Sequence, residues 1–247
     1  MKKILFAIAL AVVATACHTN EGGNVQVGKI AINAATRSEV SESEAQGRFL
    51  LPENLMPSVN DLKVEMTGNN NAFTWATLAE FNEAVNGGLT FASAPYSITL
   101  SYGEKGTEGW SKPYFEGSTS VEVPMYGLTA EANVEVEMRN SIIAIETTDN
   151  FNGYFPTSSF KVNGLEWDAT KEEMLFLNAN QEVKINCEAT RQTGATTTLE
   201  SSVTLKPTTR HKVIFDLSTA GKAVVNITFD NEIVETIELD VELNENA

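Results

Sequence analysis

Two histidines are the first residues to weigh, because so few among 247 residues leave little scope for acid–base or transition-metal chemistry. His18 adjoins Cys17 near the N-terminus, and His211 lies in TTRHKVIF, where a strand begins. There is no HExxH, CxxC or H-x-H cluster, so a transition metal has no ligand set to build on. A serine triad would have to use His211, and no G-x-S-x-G elbow accompanies it; the residue reads as a surface histidine. GEKGTEG, residues 103–109, lacks the G-K-[ST] ending of a phosphate loop and opens no helix. DNFNGYF, residues 149–155, has oxygen-bearing side chains, but Phe151 occupies the third position of a calcium-loop register. Carboxylate pairs such as Glu166 and Asp168 carry almost no information in a chain with 33 acidic residues; most such groups are solvated strand faces. The expectation is a protein with no catalytic residue, no cofactor and no metal.

Cys17 carries the clearest chemistry. Met1-Lys2-Lys3 is a short basic start, and Ile4 to Ala16 is an apolar run broken by Thr15. That run is shorter than the roughly 20 residues needed to span a bilayer, and it has the layout of a secretory signal. Ala14-Thr15-Ala16-Cys17 fits a lipobox, in which the signal is cut before a cysteine that is then lipidated, although Ala14 replaces the usual leucine. An ordinary cut at the same A-x-A sequence would leave Cys17 free. On the lipobox reading residues 1–16 are a signal peptide, Cys17 is the lipidation site, and residues 17–24 are a polar, Gly-rich tether. Stable anchoring needs more than one acyl chain, which a bacterial lipoprotein has. The protein is then an outer-membrane lipoprotein of the cell envelope, on its surface or periplasmic face. Cys187 alternates with charged residues in EVKINCEAT and reads as a small core hydrophobe, with no disulfide to Cys17.

The formal charge of −16 repels nucleic acid, which is not an expected partner. Trp110, Tyr114 and Phe115 in GWSKPYFEG, with Tyr102 just before them, are the candidate ligand platform, since aromatic loops stack on sugar faces. The competing use is packing over the open end of a sheet pair, because buried rings remove a large area from water. Trp75 and Trp167 join Trp110 as the tryptophans that could serve a glycan.

The elements that must position these residues are mostly strands. Ile30, Ile32 and Ala34 alternate in GKIAINAA; Tyr96, Ile98 and Leu100 in YSITLSYG; Val134, Val136 and Met138 in NVEVEMRN; Val213, Phe215 and Leu217 in HKVIFDL. Period two with one polar face predicts antiparallel sheets, each with one wet side. One helix is predicted from TWATLAEFNEAVNGG. Thr77 and Glu80 form a capping box, Leu78, Phe81 and Val85 share a face, and Gly87-Gly88 end it. A weaker helical turn is expected within residues 168–177. TRSEVSESEAQGR, residues 36–48, reads as an exposed loop. The fold class is all-β, two packed antiparallel β-sandwich domains with one short helix, divided as 25–125 and 126–247.

YSITLSYG, the Gly-rich turn, PYFEG, NVEVEMRNSIIAIE, Asp149-Asn150-Phe151, SSFKVNG and the closing NITFDNEIVETIELDVEL together resemble the Bacteroidales lipoproteins of domain-of-unknown-function family 4493. That family implies no catalytic residue, and only the lipobox position maps onto this chain, at Cys17. The layout is also similar to fimbrillin-type pilus and adhesin proteins, lipoprotein precursors with two transthyretin-like (immunoglobulin-like) sandwiches. There an Arg-specific protease removes an N-terminal strand, and a strand of the next subunit fills the groove. On that resemblance GKIAINAA is the displaced strand and Arg37 or Arg48 the processing site; the alternative is an ordinary arginine in an ordinary loop. The resemblance implies a structural or adhesive surface component, a fimbrillin-like one, whose partners are the membrane through its lipid and other fimbrial subunits or a host or matrix ligand. The alternative function is a glycan-binding surface lipoprotein of a polysaccharide uptake system.

Overall fold

The computed structural model describes residues 26–42, 48–168, 170–171, 173–218, 224–230 and 232–239. Nineteen strands among these residues form three sheets. The first holds, in spatial order, β5 (Asn71–Trp75), β4 (Lys63–Gly68), β7 (Pro95–Tyr102), β9 (Phe115–Glu122), β10 (Thr129–Met138), β1 (Val27–Thr36) and β6 (Phe91–Ala92). The second runs β19 (Glu232–Glu238), β18 (Val224–Phe229), β17 (Thr209–Ser218), β11 (Ser141–Thr147), β14 (Leu175–Leu177) and β8 (Gly109–Trp110). In the second sheet β2 (Glu39–Glu42) also lies against β17, and β3 (Arg48–Leu50) against β2. The third is β13 (Leu165–Trp167), β12 (Thr157–Val162), β15 (Glu182–Thr190) and β16 (Thr196–Thr204). The protein is all-β with a few short helices.

Alternation decides which face of each strand is buried. On β4 and β7, Val64, Met66, Ile98 and Leu100 have no exposed surface, and on β10 Ala132, Val134 and Val136 have almost none. All belong to one hydrophobic cluster. The β9–β10 ladder runs only through Glu116↔Glu137 and Phe115↔Met138, so the first sheet turns a corner there and folds its two arms over a shared core. Gly117 sits at this corner, where an added Cβ would lie 2.1 Å from Glu135 O. The second cluster, including Ile185, Cys187, Leu199, Val213 and Phe215, lies between the second and third sheets.

Direction of pairing departs from expectation. β1–β10, β11–β17 and β2–β17 run parallel; one-sided alternation favours antiparallel pairing only as a tendency, and mixed sheets hold one-sided strands in parallel pairs as well. Helix α1 (Leu78–Asn86) forms as predicted. Thr77 Oγ1 accepts from Glu80 N at 3.1 Å, and Glu80 Oε2 reaches back to Ala76 N at 3.0 Å. A second helix, α2 (Asp149–Tyr154), occupies the stretch weighed as a calcium loop; Thr148 caps it and Phe151 is buried beneath it. Within the stretch 168–177, where a helical turn is expected, Lys171 N donates to Asp168 O at 3.2 Å in a single turn, and the last three residues form β14, all of them buried.

β14 and β11 explain how the halves join. Phe176 and Ile142 belong to the first cluster, while Leu175, Leu177 and Ile143 belong to the second. Each strand thus faces both cores. β10 lies beyond the boundary expected at 125/126 yet sits in the first sheet beside β1.

Candidate functional site

β1 is the first described strand. Gly127 N donates to Val27 O at 2.8 Å and Lys29 N to Leu128 O at 2.9 Å, tying the start of β1 to the turn before β10. Gly28 is required there, since a Cβ would lie 2.3 Å from Pro124 O and 2.8 Å from Leu128 O. Met125, Tyr126 and Leu128, on the same turn, are exposed. β1 then pairs with β10 over eight residues, Lys29 to Thr36. On its other side the pairing is confined to Val27 and Gly28, opposite β6. Among the described residues, β1 is thus an edge strand along most of its length. It contributes Ile30 and Ile32 to the first core, each worth about 1.5–3 kcal/mol of burial.

Arg37 follows β1 directly, and the structure brings it together with Arg48. Both line a cleft of about 290 Å³ with Glu39, Glu137 and Thr208. Arg48 Nη1 lies 2.9 Å from Glu39 Oε2, and Arg37 lies 4.0 Å from Glu39 and 3.8 Å from Glu137. The Arg48 side chain is 74% exposed and that of Arg37 47%. Exposed ion pairs of this kind contribute about 0–1 kcal/mol, so they do not lock either arginine away from solvent. The lipidation candidate Cys17, and His18, lie outside the described residues.

Of the aromatic candidates the fold brings together Trp110 and Trp167, and it places Phe115 elsewhere, in the first core. Phe115 has no exposed surface and belongs to the first core. Tyr114 is 8% exposed, and its hydroxyl donates to the Glu116 carboxylate. Burial, and then this bond, push the Tyr114 hydroxyl pKa up; the same bond holds the Glu116 carboxyl below its ordinary value. Trp110 is half-buried against the second core. Its ring centroid is 5.2 Å from that of Trp167, its Nε1 donates to Glu166 O at 3.3 Å, and Lys171 Nζ covers it at 4.9 Å. Trp75 packs edge-on against Phe81 of α1 at 5.0 Å. Phe115 and Trp75 thus pack at the first core, whereas Trp110 and Trp167, both partly exposed, lie side by side at the second. Tyr114, just before β9, and Phe115, its first residue, are both buried, so neither presents a ring to solvent.

His211 is not the surface residue expected, but has no exposed surface at all. Lys206 N donates to its Nε2 at 2.8 Å, so Nδ1 carries the proton toward Asp230 Oδ2 at 2.7 Å, and Phe229 stacks on the ring at 5.0 Å. With both ring nitrogens engaged by the fold, the imidazole has no face left for a nucleophile. Glu166 offers its backbone oxygen to Trp110 Nε1, and Asp168 serves local structure by accepting from Thr170 N and Thr170 Oγ1 at 2.9 and 2.6 Å. These bonds hold the Asp168 carboxyl below its ordinary pKa. Among the described residues no three His, Cys, Asp or Glu side chains converge on a metal-sized point, and no helix is long and apolar enough to cross a membrane.

No curated protein matches the chain. Among solved structures it is similar to a candidate polysaccharide-binding protein of Bacteroides thetaiotaomicron, at 8% identity and a TM-score of 0.44, over 87% of this chain and 99% of that one. It is also similar to a candidate cell adhesion protein of Bacteroides eggerthii, at 10% identity and a TM-score of 0.41, over 90% and 99%. A fimbrial protein of Bacteroides ovatus is similar at 11% identity and a TM-score of 0.35, over 76% of this chain and 48% of that one. The family model for the domain of unknown function DUF4493 matches residues 22–245, and the chain belongs to that family.

Proposed function

We propose that this protein is a non-catalytic component of the cell envelope, anchored through a lipid on Cys17, with a structural or adhesive role in which β1 is the exchangeable strand. The observation that carries this reading is the position of β1. It is the described strand nearest the tether, it is open along one edge from Lys29 to Thr36 among the described residues, and an arginine follows it. An open edge is a template for strand addition. A strand attached by one ladder is also the least costly to remove. Cleavage after Arg37 would free β1 alone; cleavage after the more exposed Arg48 would also free β2 with its buried Val40. The groove left against β10 suits a strand with apolar residues two apart, as Ile30 and Ile32 are. The apolar turn Met125–Leu128, hydrogen-bonded to the start of β1, would lie at the end of the body nearest the lipid.

Mass spectrometry of the protein from its native membrane, with protease shaving of intact cells, tests this. A lipidated Cys17 together with a shorter form beginning at Ser38 or Phe49 is the expected result. A single form beginning at lipidated Cys17 would sink strand exchange while leaving the anchor standing. Membrane retention unchanged by Cys17→Ser would sink the anchor.

A further inference from the structure

A cleft of about 500 Å³ opens beside the first sheet, walled by Asn54, Leu55 and Met56 on one side and by the excursion from Tyr102 to Pro113 on the other. Its volume lies within the roughly 300–1,000 Å³ of small-ligand sites. The backbone of this excursion is fixed from outside the cleft. Asn140, 3% exposed, donates through Nδ2 to Lys112 O at 3.0 Å and accepts from Tyr114 N at 3.2 Å, clamping both sides of Pro113. Gly103 has φ +81°, and a Cβ there would lie 2.3 Å from Pro113 O, so only glycine lets the end of β7 press against that segment. Glu108 accepts from Asn178 N at 2.9 Å and Gln181 Nε2 at 2.8 Å, and Asn178 Nδ2 donates to Gly106 O at 3.0 Å.

The side chains in the cleft contrast with this fixed frame. The Tyr102 side chain lies on the wall with the residue 39% exposed. Asn54, Glu104, Thr107 and Lys112 make no side-chain hydrogen bond or ion pair among the described residues. The residues lining this volume carry a ring that can stack, an amide, two hydroxyls, one carboxylate and one ammonium, the last on a Lys112 side chain that runs along Gly109. The two charges cancel, and the chain as a whole carries −16, which disfavours polyanions. Stacking on an aromatic face with surrounding donors and acceptors is what a polyhydroxylated ring requires.

We propose that this cleft binds neutral sugar residues of a glycan, with Tyr102 as the stacking face and Asn54, Glu104 and Lys112 as hydrogen-bonding partners. The site depends neither on the lipid anchor nor on strand exchange, and it is separate from Trp110. Its test is a glycan array spanning neutral, uronate and sulfated oligosaccharides, probed with the full chain purified from cells. Calorimetric titration with the best neutral oligosaccharide follows. Binding to neutral glycans is expected, weakened at least about tenfold by Tyr102→Ala and by the paired Asn54→Ala/Lys112→Ala variant, and largely kept by Tyr102→Phe. These positions are exposed, and unchanged circular dichroism confirms that the variants fold. Absence of any neutral glycan on the array, binding confined to acidic glycans, or affinity untouched by Tyr102→Ala would each overturn the assignment.

Discussion

His211 Nδ1 lies 2.7 Å from Asp230 Oδ2 in a position where the histidine has no exposed surface. The pair closes the entrance of β17. Asp230 also accepts from Lys212 N at 3.2 Å, and the other ring nitrogen holds Lys206 N. Replacing His211 with alanine leaves a cavity, takes the acceptor from Lys206 N and removes the histidine donor from Asp230 Oδ2. A buried polar group left unsatisfied costs about 1–3 kcal/mol, before the cavity is added. His211→Ala should therefore destabilise the fold by about 2–4 kcal/mol in urea unfolding. A loss within about 0.5 kcal/mol would show that the triangle of Lys206, His211 and Asp230 holds nothing together.

The same residue shows what was and was not legible in the sequence. Thr209, His211, Val213, Phe215 and Leu217 are the odd residues of β17, and all are buried. The alternation that placed Val213, Phe215 and Leu217 inside already placed His211 with them; a lone polar residue at the start of the run obscured the signal. One-sided strands such as β10 and β15 were readable for that reason. β14 was not, because Leu175 and Leu177 face one core and Phe176 the other. A short run buried on both faces has no period, and periodicity alone does not separate it from a helical turn. Parallel pairing of β1 with β10 was equally hidden, since one-sided alternation favours antiparallel pairing only as a tendency. At the cleft the glycine-rich turn was visible, but its rigidity comes from Asn140 and Asn178, 28 and 72 residues from their partners, and no local spacing announces such contacts.

Cys187 faces the second core with no exposed surface. Burial, with a smaller contribution from Glu188, pushes its thiol up to about 12 from an ordinary 9.0. Below pH 9 the thiol is neutral in both the folded and unfolded chain, and it contributes no pH dependence. Above pH 9 the unfolded chain ionises it and the folded protein does not, so stability falls as pH rises, by up to about 1.4 kcal/mol per pH unit. The difference in unfolding free energy between wild type and Cys187→Val should thus be flat below pH 9 and shift in favour of Val above it. The native thiol should resist a disulfide reagent at pH 8 and react once the chain is unfolded; rapid labelling without denaturant would contradict its place in the core.

Trp110 and Trp167 are in reach of each other, at 5.2 Å between centroids and 37° between planes. Two indoles this close should couple, giving an exciton feature in circular dichroism. Trp110→Phe and Trp167→Phe should each abolish it, and Trp75→Phe, altering a ring at the other core, should leave it intact. Trp110→Ala should destabilise the fold by about 3–5 kcal/mol if its site fails to collapse, less in proportion to its remaining exposure. A Trp110→Ala variant of unchanged stability would restore this ring as a ligand platform.

The docking of β1 is the property on which strand exchange turns, and Gly28 gives direct access to it. Alanine there would bring a Cβ to 2.3 Å from Pro124 O and 2.8 Å from Leu128 O, and both are backbone atoms that cannot swing aside. Overpacking of this kind costs about 1–3 kcal/mol. The strain falls on the start of β1, at its short bridge to β6, so it should favour local detachment of this strand over global unfolding. Gly28→Ala should then raise the rate of limited trypsin cleavage after Arg37 by about tenfold for each 1.4 kcal/mol, with little change in urea midpoint for the second half. Gly153→Ala supplies the control: its Cβ meets nothing within 4 Å, and within α2 alanine replaces glycine favourably by about 0.5–1 kcal/mol. Equal cleavage rates in the two variants would mean that β1 is not held as an independently detachable strand, and that exchange at this edge would require unfolding the first half.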